Sequence, residues 1–328
     1  MTSEVSTRAA ALVAERLPQA RGLGLALAEL IDDPEAFTRA LTEGLEQLSD
    51  EAYAVEQERV APGSGAVIGT RWPLVHAIER ALGGPLRESS SSSALWLAQR
   101  LASSEFREVR LFSLPCLERS LPDDPERSWQ LMRRLGRGAR DWISVDALAS
   151  VYAQGILLER FRWAELEQLV YSKQNMERRL VGATLARMPY EIQGRAGRSQ
   201  ALDPRRALEL ISTLMGDADD QVQKALSWAL REWSRVDRVA VEGLLDREAT
   251  LAARTGDGHR AWVIRDSLTL IDPGMARELR ARLADVRRRN SSPPTSEASK
   301  AAATFSAPLD LADSVVAQQG ERFARRTA

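Results

Sequence analysis

The chain has 328 residues, 44% of them apolar, and a formal net charge of −1, which suits one large domain or two small ones around a buried core. A single cysteine, Cys116, excludes an internal disulfide, and His76 and His259 alone argue against a structural metal site or a histidine-based metal enzyme. No apolar run reaches the length of a membrane span and no signal-like segment opens the chain, so the sequence reads as a soluble, cytosolic protein.

Helical periodicity is predicted over 4–16, 22–32 and 35–59, a stretch rich in acid: Glu29, Asp32, Asp33, Glu35, Glu43, Glu46, Asp50 and Glu51. The loop Ala61–Gly69 follows, then helices over 73–82, 92–102 (after the serine run 89–93), 105–119, 125–139, 144–158, 163–172 and 175–187. Further helices are predicted over 204–214, 219–234, 238–246, 258–270 and 274–288. Asp33, Asp124, Asp203 and Asp272 each precede a proline and read as N-caps with proline in the first turn. No segment sustains two-residue alternation. From residue 92 the helices pair across short turns, roughly one pair every 35–40 residues, the spacing of HEAT-like repeats. The expected architecture is therefore all-α, a curved solenoid of HEAT-like repeats, with an acidic helical segment over 1–60, a repeat domain over 61–289 and a disordered tail over 290–328.

Two clusters carry chemistry. Trp142 and Asp146 stand four residues apart and share a helix face. Lys224, Trp228, Arg231 and Arg235 form a positive stripe around an indole, while Val222, Leu226, Ala229, Leu230 and Trp233 form the opposite, core-facing stripe. Indoles set among cations, with a carboxylate nearby, suit a flat and anionic ligand, and nucleic acid is the leading candidate. Arginines 133, 134, 137 and 140 precede Trp142 and read as a solvated face. Arginine is favoured throughout, since lysine occurs only at 173, 224 and 300, so an arginine count carries little by itself. Trp72, Trp96, Trp129, Trp163 and Trp262 are assigned to packing.

Four segments carry a family likeness: Val67–Pro73, Arg140–Ala147, Ser172–Leu185 with Arg179, and Val222–Glu232. The last, reading Val-Gln-Lys-Ala-Leu-Ser-Trp-Ala-Leu-Arg-Glu, is the most specific. Together they resemble the HEAT-like-repeat DNA alkylation repair glycosylases of the AlkD type, over about residues 65–290. Ile143 stands where that family has an aspartate after the first indole.

The resemblance implies a glycosylase that hydrolyses the N-glycosidic bond of cationic alkylated purines, of the N3-methyladenine and N7-methylguanine class, without flipping the base into a closed pocket. It implies Asp146 as the catalytic carboxylate, Trp142 and Trp228 against the substrate, and Arg179, Lys224, Arg231 and Arg235 on the DNA. The partner is then double-stranded DNA carrying alkylated purines, bound by a monomer without cofactor or metal. A cationic base leaves without a strong general acid, so a fixed carboxylate that stabilises charge on the sugar and orients water is the group such chemistry needs. The alternative reading is a HEAT scaffold that binds DNA or protein and cuts nothing.

Overall fold

The computed structural model describes residues 2–192, 202–289 and 291–306. The described residues are predominantly helical: α1 (Thr2–Ala28), α2 (Pro34–Gln47), α3 (Glu51–Val60), α4 (Trp72–Glu88), α5 (Ser91–Ala102), α6 (Arg107–Leu111), α7 (Ser113–Ser120), α8 (Pro125–Gly138), α9 (Trp142–Leu158), α10 (Trp163–Leu169), α11 (Asn175–Ile192), α12 (Pro204–Leu214), α13 (Asp220–Ser234), α14 (Arg238–Thr255), α15 (Gly258–Ser267), α16 (Pro273–Arg282) and α17 (Glu297–Ser306). Among the described residues, extended pairing is limited to isolated bridges, Ser49 with Thr70 and Ala66 with Phe106.

Side-chain caps start most of these helices. The carboxylates of Asp33, Asp124, Asp203 and Asp272 accept from Ala36, Arg127, Arg206 and Met275 N–H, each satisfying a donor that the first turn leaves free. Asp50, Asp141, Asp219, Asp237 and Asp257 do the same for α3, α9, α13, α14 and α15. Caps also explain where the expected boundaries shift. The predicted helix 35–59 breaks at Asp50, which caps α3 and pairs with Arg71 at 2.7 Å. Conversely 4–16 and 22–32 merge into α1 despite Pro18, with Ala20 and Leu27 buried along one side.

From α8 onward the helices alternate between two layers. α9, α11, α13 and α15 pack side by side in order, and α8, α10, α12 and α14 each pack on the helix that follows. This is the HEAT-like repeat arrangement expected of the spacing. Gly182 lets α11 and α13 approach closely, since a Cβ there would lie 2.9 Å from the Ala225 Cβ and 3.0 Å from the Ala225 carbonyl carbon. The acidic N-terminal helices share one core with the repeats, through Leu27, Phe37, Leu41 and Leu45 packed with Leu74, Ile78 and Leu97.

The expected disorder of the tail does not hold for 291–306. Thr295 N–H donates to the Gly216 carbonyl at 2.9 Å, His259 Nε2 donates to the Ser292 carbonyl at 3.0 Å, and Ser296 and Ala298 are buried as α17 meets α12. Polar backbone contacts, which leave no apolar period in the sequence, hold the segment. Residues 307–328 lie outside the described residues.

Trp129 and Trp163 are buried as expected of packing residues, but Trp96 is 58% exposed. Cys116 is fully buried, and burial pushes its thiol up to about 12, leaving it unreactive. Among the described residues no helix is long and apolar enough to cross a membrane, and no group of His, Cys, Asp and Glu could hold a metal ion.

Candidate functional site

Among three neighbouring helices of one layer, α9 and α11 bring Trp142, Asp146 and Arg179 together, while Trp228 of α13 lies under Arg187 of α11, whose charge reaches Asp146. α9 buries Val145, Leu148, Ala149 and Tyr152, which leaves Trp142 and Asp146 half-buried on its remaining face. The start of α9 is set by Asp141, whose carboxylate accepts from Ser144 N–H at 3.0 Å and from its hydroxyl at 2.7 Å. Trp142 is held separately: its indole N–H donates to the Val60 carbonyl at 3.1 Å. These two contacts fix the first turn with Ile143 in place of an acid.

Arg179, buried on α11, meets Asp146 through a two-pronged ion pair, Nε to Oδ1 at 3.0 Å and Nη2 to Oδ2 at 2.7 Å. Its remaining nitrogen, Nη1, donates to the Gln221 carbonyl at 2.6 Å, and its guanidinium carbon lies 5.9 Å from the Trp142 ring centre. The expectation of Arg179 as a free phosphate ligand therefore meets a guanidinium already committed on all three nitrogens. The structure uses it to aim a carboxylate. Spacing alone could not reveal this, because the partner lies 33 residues away on another helix.

Burial pushes the Asp146 carboxyl above its ordinary value, while the Arg179 charge and hydrogen bonds and the charge of Arg187 pull it back and Asp141 adds to the rise. The net direction is up. The side chain keeps 19% of its surface exposed, and each oxygen retains acceptor capacity beyond its bond to Arg179.

Trp228 is half-buried on α13, whose opposite face buries Val222, Leu226, Ala229, Leu230 and Trp233. Over it lies Arg187 of α11, its guanidinium carbon 5.4 Å from the ring centre. Arg187 escaped the sequence reading; its position two turns beyond Arg179 on the same helix was the available signal. Its Nε is buried without a hydrogen-bond partner.

The positive stripe on α13 is less free than its sequence implies. Arg231 bonds the Asp266 carboxylate and carbonyl, both at 2.8 Å, and Arg235 bonds Glu232 at 3.1 Å. Lys224 is exposed and meets no carboxylate among the described residues. Trp262 lies under Arg288, 5.3 Å from ring centre to guanidinium carbon, and belongs to another cluster.

The model of the family described as "DNA alkylation repair enzyme" matches residues 41–268. Among solved structures, the fold is similar to that of a predicted DNA alkylation repair enzyme from Enterococcus faecalis, with a TM-score of 0.50 and 15% identity over 72% of this chain and 97% of that one. At that identity the likeness speaks for the fold alone. No curated protein matches the chain. Because the family model spans well over half of the sequence, the chain belongs to the DNA alkylation repair enzyme family.

Proposed function

We propose that this protein is a DNA glycosylase that releases cationic alkylated purines from duplex DNA, with Asp146 as the catalytic carboxylate. The observation that carries the reading is a partly exposed carboxylate, aimed by a two-pronged arginine that also lies against the Trp142 ring, and within the electrostatic reach of Arg187, which lies over Trp228. N3-methyladenine and N7-methylguanine already carry positive charge, so the leaving base needs no proton from the enzyme. What the reaction lacks is stabilisation of the sugar as the bond breaks, and a fixed anion supplies it where the charge develops. Asp146 would also orient the attacking water. Trp142 and Trp228 would press on the reacting nucleotide and its positive charge. Lys224 would contact a phosphate directly, while Arg231 and Arg235 would first exchange Asp266 and Glu232 for phosphate oxygens. Arg179 acts through Asp146.

The ion pair itself favours a second reading. A carboxylate bonded on both oxygens by a buried arginine is also what a purely structural bridge looks like, as in a HEAT scaffold that binds DNA or protein and cuts nothing. Incubation with methylated duplex DNA separates the two. The glycosylase releases free base, and Asp146→Asn stops it; intact DNA after prolonged incubation with the wild-type protein leaves the scaffold.

A further inference from the structure

A cavity of about 680 Å³ opens beside the start of α9, walled by Gly63–Gly65 of the loop after α3 and by the ends of α5, α7 and α8. Its lining includes Leu131, Leu135 and Leu148, with Arg110, Arg134 and Arg140 around them. That volume falls within the range of small-molecule sites, which combine apolar walls with a few polar groups.

Its charge is mostly positive: the three arginines share the lining with one carboxylate, Asp141, whose charge bears on Arg110. Arg134 is exposed and meets no carboxylate among the described residues. Arg140 Nη1 bonds only neutral acceptors, the Arg137 and Ala139 carbonyls and the Gln174 side chain. Arg110 bonds the Ser64, Ser104 and Glu105 carbonyls. Arg107, close enough for its charge to bear on Arg110, is buried with Nε and Nη1 unpartnered and one bond from Nη2 to Gln57 at 3.2 Å. The nearby carboxylates are committed to backbone donors, Asp141 to Ser144 and Glu108 to Ile68 and Gly69. Guanidinium groups without carboxylate partners favour phosphate, which they can grip with paired N–H donors. A bare inorganic ion would leave the leucines facing water, so the fitting occupant carries an apolar, flat body. The Gln99 amide and the Ser103 hydroxyl supply donors and acceptors for its edge.

We propose that this cavity binds a nucleoside monophosphate, with the phosphate between Arg134 and Arg140 and the base over Leu131, Leu135 and Leu148. The unit can be a free nucleotide or one nucleotide of a bound strand. The assignment does not depend on what Asp146 catalyses: loss of base release leaves it standing, and loss of nucleotide binding leaves the glycosylase reading standing.

The test titrates the full chain with 2′-deoxyadenosine 5′-monophosphate, with deoxyadenosine, with hexanoate and with an unmodified duplex. Two variants are compared with wild type. Arg134→Ser with Arg140→Ser removes the phosphate partners. Gly138→Trp adds bulk at a residue of the cavity wall, at a position where a Cβ meets nothing within 4 Å. Saturable binding of the monophosphate, weaker by about tenfold or more in both variants and at least as much weaker for deoxyadenosine, is expected from the loss of a charge-assisted pair. If the unit belongs to a bound strand, the monophosphate competes with the duplex and Gly138→Trp weakens duplex binding too. If it is a free nucleotide, both bind together and the duplex is unaffected. Binding that neither variant changes, no binding of either nucleotide form, or hexanoate bound as tightly as the monophosphate would overturn the assignment.

Discussion

Arg179 spends two nitrogens on Asp146 and its third on the Gln221 carbonyl, so one side chain ties α9, α11 and α13 together around a single carboxylate. The carboxylate is thereby held in one orientation before any ligand arrives, the condition under which a fixed charge acts on a transition state without reorganising.

Asp146→Asn should reduce release of N3-methyladenine or N7-methylguanine by about 10²–10⁴-fold, the range for losing one preorganised catalytic group. Duplex affinity should change by less than about threefold, because an interaction confined to the transition state adds little to ground-state binding. Single-turnover excision and duplex titration measure the two separately. Wild-type excision by the Asn variant would remove Asp146 from the mechanism.

The acid limb of the rate profile follows from the same site. The working form is ionised, burial holds the Asp146 carboxyl above its ordinary value, and activity is lost as pH falls through that raised value. Arg179→Gln removes the largest opposing influence and should move the limb to still higher pH. For stability the sign is reversed: a group whose folded-state value is raised favours the folded chain at acid pH and loses that contribution as pH rises through it. A limb that moves down in the variant would contradict this account.

Salt dependence should separate free cations from committed ones. Lys224→Ala should flatten the slope of log affinity against log salt by about one unit, the contribution of one neutralised phosphate. Arg179→Gln should leave the slope unchanged. Asp266→Asn should tighten duplex binding with little change in slope, because Arg231 then reaches the same phosphate without first giving up its carboxylate. Equal slopes in all three proteins would mean that α13 does not face the polyanion.

Gly182→Ala places a methyl group against the Ala225 backbone, and helices α11 and α13 must separate to admit it. A loss of about 1–3 kcal/mol is expected, the usual cost of overpacking, read from chemical denaturation. Excision should fall with it, since Arg179 and Gln221 sit on the helices being pried apart.

What the sequence disclosed, and what it hid, follow one physical division. Helix starts marked by Asp-Pro were legible because capping is local, decided within four residues. The two faces of α13 were legible for the same reason, in the period that buries Trp233 and leaves Trp228 half-exposed. Contacts between distant segments were not. The commitment of Arg179 to Asp146, the pairing of Arg231 with Asp266 and the lid of Arg187 over Trp228 each join residues 33 to 41 positions apart on separate helices. The docking of 291–306 was hidden because backbone carbonyls and serines hold it.

The bond from Trp142 to the Val60 carbonyl bridges 82 positions. It hangs the orientation of one indole on the last residue of α3, a helix capped by Asp50, which pairs with Arg71, and followed by a loop that Glu108 fastens at Ile68 and Gly69. The acidic opening segment is thus a foundation for the ring. Starting the chain at about residue 65, where the likeness read from the sequence begins, would remove Val60 and leave Trp142 free to turn, although no residue of the site itself had been touched.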